Sequence, residues 1–146
     1  MEFFSFQKIG RFDKEIVVTE KIDGTNAQIY IEDIPKELYK PEPGLIADDG
    51  FGPETCVRVI RVGSRNRQLM GRGKEDNFGF YGWASDNAEC LMQLGPGRHY
   101  GEWWGHGIQR GYDLEEKRFS LFNTDKWGES RPDCCHVVPI IHKGRW

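Results

Sequence analysis

The chain lacks the features that mark membrane-bound, exported or repetitive proteins. It has no apolar run of transmembrane length, and its N-terminus has no basic stretch followed by a signal-type apolar core. It also has no internal repeat, low-complexity tract or long linker. A chain of 146 residues fits one domain that buries roughly 70% of its extended-chain surface. We therefore expect a single domain over residues 1–146, with no membrane partner.

Cysteine is scarce and poorly placed for cross-linking. Two of the four cysteines, Cys134 and Cys135, are adjacent, an arrangement that suits neither an ordinary disulfide nor a C-x-x-C metal site. The run from Cys134 to His136 has no recognised zinc spacing either, so we expect no metal site there. Because disulfides are rare in reducing compartments, a cytoplasmic location is the simplest interpretation.

Positive charge is not in excess. A net charge of −3 and a pI near 5.8 exclude a protein that coats nucleic acid through bulk electrostatics. Any contact with a polynucleotide must then come from a local basic patch, for which residues 58–74 are the candidate. The alternative is a solvated face that Asp and Glu balance. The cations of this segment are Arg58, Arg61, Arg65, Arg67, Arg72 and Lys74.

The pattern of apolar residues predicts an α+β fold dominated by antiparallel β-sheets. β-branched residues at 16–18 and alternating apolar residues at 27–31 flank Asp23-Gly24, a common tight-turn pair, which predicts a hairpin. Residues 36–53 are rich in Pro and Gly and predict a surface loop, whereas CVRVIRVGS (56–64) predicts a strand after which the chain leaves the sheet. Later strands are predicted in RHYGEWW, RFSLF and HVVPII.

One main helix is predicted over residues 80–94, where apolar residues recur at three- and four-residue intervals. Asp76 or Asn77 is available as its N-cap, and Gly95-Pro96 as its stop.

The segment Lys21-Ile22-Asp23-Gly24 raises a chemical question, because a lysine beside an Asp-Gly turn is either a solvated charge or a nucleophile. A lysine amine attacks only when uncharged, and at an ordinary pKa near 10.4 about one in 2,500 is neutral at pH 7. Nearby cations or desolvation must favour the neutral form. If the amine attacks phosphorus, a phosphoramidate forms, which requires a bound nucleotide, a divalent cation and positive side chains that stabilise the leaving pyrophosphate.

Four segments in order along the chain resemble the motifs of the covalent nucleotidyltransferases, the superfamily of ATP-dependent RNA ligases, DNA ligases and mRNA capping enzymes. Two further segments, DNFGF (76–80) and GIQRGY (107–112), are similar to RNA ligases of phage type and favour that family. The four ordered segments are Lys21-Ile22-Asp23-Gly24, GSRNR (63–67), YGEWWG (100–105) and RFSLFN (118–123).

The resemblance implies an activity and its partners. Lys21 would attack the α-phosphate of ATP with Mg²⁺ assistance, and the AMP would pass to an RNA 5′-phosphate before sealing to a 3′-hydroxyl. Asp23 would orient the lysine or a metal-bound water.

The resemblance also implies nucleotide contacts, and it assigns no protein residue as a metal ligand. Glu20 would flank the adenine through its main chain, and Gly24 would let the turn approach the nucleotide. Arg65 would contact the sugar and phosphate side, and Glu102 would accept hydrogen bonds from the ribose hydroxyls. An aromatic ring would stack on adenine, either Phe122, which we favour by position, or Phe119.

The family continues with a Glu-Gly-hydrophobic strand that aids metal binding and then a lysine pair that contacts the phosphates. The chain contains neither, since Lys143 in HKGRW lacks the expected partner lysine. The resemblance therefore implies a truncated nucleotidyltransferase (ATP-grasp-like ligase) domain. The alternatives to a ligase are a non-catalytic remnant that binds a nucleotide or an RNA end, and one half of a split enzyme whose second chain supplies the missing motifs.

Overall fold

The computed structural model describes residues 15–145, which form an α+β structure of mostly strands with a few short helices, as predicted. The strands are β1 (Glu15–Thr19), β2 (Thr25–Pro35), β3 (Ile46–Asp48), β4 (Cys56–Ser64), β5 (Gln68–Leu69), β6 (Gly97–Gly105), β7 (Lys117–Leu121), β8 (His136–Val137) and β9 (Ile140–Arg145). The helices are α1 (Phe80–Asp86), α2 (Ala88–Leu91) and α3 (Thr124–Trp127), with 3-10 turns at Met92–Leu94 and Gly111–Asp113.

The larger sheet has the strand order β3-β4-β2-β6-β7-β8, and β5 pairs with β4. Its pairings are antiparallel except for the parallel pair β7–β8, so the antiparallel prediction is confirmed for most of the sheet. Alternation puts Ala27, Ile29 and Ile31 of β2 in the core. The predicted strand CVRVIRVGS is β4, with its apolar side chains buried.

The predicted hairpin around Asp23-Gly24 is wrong. β1 pairs with β9, from Glu15↔Arg145 to Val18↔His142, and forms a separate two-stranded sheet. The reason is that β4 and β6 occupy both edges of β2, so β1 has no edge of β2 to pair with. Residues 20–24 therefore link two sheets instead of turning between neighbouring strands.

The predicted helix over residues 80–94 is also interrupted. α1 ends at Asn87 (φ −110°, ψ 19°), and α2 and a 3-10 turn follow it. The side-chain amide of Asn87 donates to the Trp83 carbonyl (2.8 Å), and such side-chain bonds compete with helix continuation. The N-cap of α1 is Gly79 instead of Asp76 or Asn77, although the Asp76 carboxylate accepts from the Gly79 N–H (2.9 Å).

The sequence predicts that the chain leaves the sheet at residues 36–53 and again after β4, and both predictions are only partly correct. Residues 36–53 include the edge strand β3, which pairs with β4 through Ile46↔Ile60. After β4 the chain returns as β5, with Leu69 opposite Val62. No helix within residues 15–145 has the length and apolar character needed to cross a membrane.

The core beneath the larger sheet is an aromatic cluster. Phe80 and Trp83 of α1 pack on Trp103 of β6 and Phe119 of β7, with ring centroids 5.2–5.8 Å apart. Gly101 of β6 lies beside this cluster, where a Cβ atom would be 2.5 Å from the Ser120 carbonyl oxygen and 2.6 Å from the Phe119 ring. The sheet and the cluster therefore leave no room for a side chain at Gly101.

We expect Gly101→Ala to lower the free energy of unfolding by about 2 kcal/mol, because overpacking a tight core displaces its neighbours. Urea denaturation followed by circular dichroism measures the loss. Gly71→Ala is the matched control, since a Cβ atom there would meet nothing within 4 Å. Equal stability of the two variants would contradict the packing described.

Candidate functional site

The polar face of the larger sheet carries Glu102 and Phe122, two of the residues that sequence analysis selected. Side chains alternate along a strand, so Asn26, Gln28 and Tyr30 of β2 face away from the core. On β6, Glu102 lies opposite Asn26, and Tyr100 lies opposite Gln28. The pairing register therefore places residues distant in sequence side by side on this face.

Three rows run across the strands of this face. The Glu102 row contains Asn26, Glu102 and Ser120; the Tyr100 row contains Gly63, Gln28, Tyr100 and Phe122; the Tyr30 row contains Arg61, Tyr30 and Arg98. Phe122 joins the Tyr100 row because its N–H donates to the Tyr100 carbonyl (3.0 Å). Successive rows are two residues apart along each strand, which is about 7 Å.

Residues 21–24 lie against the end of the Glu102 row. Ile22 is buried and fixes the segment in the protein, while Lys21 and Asp23 on either side of it are exposed. A Cβ atom on Gly24 would lie 2.5 Å from the Trp103 carbonyl oxygen. The absence of a side chain at Gly24 thus allows the segment to lie directly on β6.

The carboxyl group of Glu102 is partly removed from water. Desolvation raises the pKa of its carboxyl group; the Gly24 N–H and the Lys21 charge oppose this rise, and the Asp23 charge adds to it. Its Oε1 atom is buried and has no hydrogen-bond partner among residues 15–145. A buried acceptor without a partner is rare in proteins, and it suits a ligand that donates a hydrogen bond.

A loop after β6 holds the Asp23 backbone in place. The Tyr112 hydroxyl accepts a hydrogen bond from the Asp23 N–H (2.7 Å), and the Tyr112 ring packs edge-on against Trp104 (5.3 Å, 86°). Tyr112 has a left-handed backbone (φ 51°), as do Gln109 and Asp113, and backbone strain of this kind clusters at functional sites. Sequence analysis noted GIQRGY only as a family resemblance and missed the contact of Tyr112 with Asp23.

The two candidate stacking rings have different environments. Phe119 is fully buried in the aromatic cluster, so the structure removes it as an alternative stacking residue. Phe122 is 44% exposed and Tyr100 is 51% exposed, and both line an apolar cleft of about 440 Å³. The cleft is lined by Asn26, Ala27, Gln28, Ser64, Arg65, Tyr100 and Phe122.

Glu20 and Arg65 have different surroundings. Arg65 lines the apolar cleft, next to Ser64 at the end of β4. The Glu20 N–H donates to the Pro139 carbonyl (2.9 Å), so this main-chain donor already has a partner within the protein.

The basic patch predicted at residues 58–74 is partly neutralised. Arg58 pairs with Asp33 (2.8 Å), Arg61 with Glu32 (2.8 Å) and Arg72 with Asp86 (2.6 Å). The alternative of a balanced face therefore holds for these three arginines. Arg65, Arg67 and Lys74 form no ion pair within residues 15–145. Arg65 and Arg67, together with Arg98 from β6, line a groove beside the Tyr30 row.

The described part of the chain contains no group of three or more His, Cys, Asp or Glu side chains arranged to hold a metal ion. Mg²⁺ is commonly held by one or two carboxylates together with substrate phosphates, without a cage made of protein alone. The exposed Asp23 carboxylate, two residues from Lys21, fits that arrangement.

We expect Glu102→Gln to stabilise the ligand-free protein at pH 7. Burial raises the folded-state pKa of Glu102 above its unfolded value, so the protonated group favours folding. This contribution to the free energy of unfolding is lost as pH rises through the folded pKa. The variant should therefore melt at a higher temperature than the parent at pH 7, and the difference should shrink toward pH 4. Thermal denaturation across this pH range measures the effect, with exposed Glu54→Gln as control. A lower melting temperature for Glu102→Gln at pH 7 would contradict the conclusion that burial of the charged Glu102 carboxylate destabilises the fold.

Comparison with known proteins gives one finding about the family. A family model described as RNA ligase matches residues 14–146. The curated proteins and the solved structures gave no match. Because the family model covers nearly the whole sequence, the chain belongs to the RNA ligase family.

Proposed function

We propose that the chain is an RNA ligase-type adenylyltransferase with a nucleotidyltransferase-like site, in which Lys21 becomes covalently attached to AMP. One observation carries this proposal: Lys21 and the half-buried Glu102 carboxylate, whose buried Oε1 atom has no partner among residues 15–145, interact at the end of the polar sheet face. Family membership supports RNA as the substrate.

The order of the rows matches the order of groups in a nucleotide. Lys21 lies at the phosphate end, and the Glu102 Oε1 atom next to it accepts a hydrogen bond from a ribose hydroxyl. One row further, about 7 Å away, Phe122 lies at the distance where the base would stack. Arg65 lines the same cleft and contacts the nucleotide.

The first chemical step forms a P–N bond between Lys21 Nζ and the α-phosphorus of ATP. The bond from that phosphorus to the bridging oxygen breaks, pyrophosphate leaves, and the amine loses a proton. Asp23 orients the amine, and its exposed carboxylate would hold Mg²⁺, which would neutralise phosphate charge. In the second step an RNA 5′-phosphate oxygen attacks the same phosphorus and releases Lys21. A 3′-hydroxyl then attacks the 5′-phosphate, and AMP leaves.

Lys21→Ala and Lys21→Arg should abolish covalent labelling by α-labelled ATP and Mg²⁺, because neither variant has the nucleophilic amine at this position. The measurement is protein-bound label on a denaturing gel that resists alkali but is released by acid, as expected for a P–N bond. Exposed Lys40→Ala is the control and should retain the label. Label on Lys21→Arg, or no label on the parent chain under any of the conditions described below, would refute the adenylyltransferase proposal.

Phe122→Ala should weaken ATP binding about tenfold, since base–aromatic stacking contributes about 1–3 kcal/mol. Isothermal calorimetry measures the affinity. Phe78→Ala is the matched control because its ring is similarly exposed, at 47% against 44%, and lies outside the apolar cleft. Equal losses in the two variants would exclude Phe122 as the stacking residue.

A second candidate is one half of a split ligase. Among residues 15–145 the β1–β9 sheet has two strands, and Val18, Ile140 and Ile141 are exposed on it. Two-stranded sheets are at best marginally stable in water, so this sheet fits strands supplied by a second chain. Label that appears only after a polypeptide with the Glu-Gly-hydrophobic and Lys-x-Lys elements is added would support it. ATP binding without label in either case would favour the non-catalytic remnant.

A further inference from the structure

The Tyr30 row is not used by the nucleotide contacts proposed above. On it, the Arg98 guanidinium carbon lies 4.4 Å from the Tyr30 ring centroid, and that of Arg61 lies 6.0 Å from it. The pairing register aligns the three residues across β4, β2 and β6. The row is thus an aromatic ring between two cations on an accessible sheet face.

A groove lies beside this row and continues into the apolar cleft. Gln28 and Arg65 line both the groove and the cleft, while Arg67 and Asn66 line the groove alone. From the Glu102 row to the Tyr30 row the distance is four residues along β2, or about 14 Å. An RNA that reaches from the Lys21 end to the Tyr30 row must therefore be longer than one nucleotide.

The groove carries uncompensated positive charge. Within residues 15–145, Arg65, Arg67 and Arg98 have no acidic side chain within ion-pair distance, whereas Arg61 is paired with Glu32. Arg67 is fixed by a bond to the Glu75 carbonyl (2.7 Å), which leaves its charge intact. Because the chain as a whole has a net charge of −3, this concentration of cations is a local feature.

We propose that this groove binds single-stranded RNA several nucleotides from the joined end, with an unpaired base on Tyr30 and phosphates on Arg67 and Arg98. The inference rests on the proposed function, since it supplies the RNA that the Lys21 site would act on. A base can stack on Tyr30 only when it is unpaired, which favours a single strand over a duplex. When the base takes its place on the ring, the Arg98 guanidinium becomes available to a phosphate.

Fluorescence anisotropy without ATP tests the groove directly, using a 5′-phosphorylated 12-nucleotide RNA and its duplex. Tyr30→Leu should weaken binding of the 12-nucleotide strand about tenfold, as expected for loss of one stacked base. Arg98→Gln should weaken it as well and lower the slope of log affinity against log salt by about 0.7, the value for one phosphate contact on a single strand.

Two control variants distinguish loss of the Tyr30 ring or of a cation in the groove from a general effect of mutation on the protein. Tyr30→Phe keeps the ring and should bind like the parent, and Lys40→Gln removes an exposed cation outside the groove and should bind like the parent. Equal affinities for Tyr30→Leu and Lys40→Gln, no measurable binding by the parent chain, or equally tight and Tyr30-dependent binding of the duplex would each overturn the groove assignment.

The outcomes for the two proposals are distinguishable. Covalent label on the parent chain together with Tyr30-independent RNA binding would remove the groove and leave the adenylyltransferase proposal standing. Tyr30-dependent RNA binding without label, even with the second polypeptide added, would remove the adenylyltransferase proposal and leave a single-strand binding surface.

Discussion

The register of β2 between β4 and β6 is the constraint on which the site depends. Each pairing fixes which residues share a row, and a slip of one residue would move every side chain to the opposite face. The buried Ala27, Ile29 and Ile31 hold the register, because a slip would expose them to water. Burial of the apolar face of β2 therefore determines how the polar rows align on its opposite face.

Glu102 shows how the site departs from what stability alone would select. Its carboxyl group is partly desolvated, and one oxygen has no partner among the described residues. An uncharged side chain at this position would be less costly to the fold. A ligand hydroxyl that donates a hydrogen bond to this oxygen would offset the loss of stability. Residues that lower the stability of the fold in this way are typical of functional sites.

Sequence patterns predicted the parts of the fold that depend on local periodicity. The strand at residues 56–64 and the fold class follow from alternation, and the same alternation could have separated Phe122 from Phe119, since Phe119 shares its face with Leu121 in the core. The hairpin failed because strand pairing is a long-range choice, and both edges of β2 were taken by partners far along the chain. The helix break at Asn87 and the bond from Asp23 to Tyr112 depend on side-chain geometry that spacing does not encode. Membership of the RNA ligase family, inferred from ordered motifs, is confirmed, whereas the roles of individual residues stay predictions.

Within residues 15–145, the chain passes between the larger sheet and the β1–β9 sheet at residues 20–24 and again around Pro139. A hydrogen bond from the Glu20 N–H to the Pro139 carbonyl joins these two segments. Lys21 is therefore anchored from both sides, by the Glu20 bond to Pro139 before it and by the burial of Ile22 after it. Its main chain is held in one position while its side chain stays exposed.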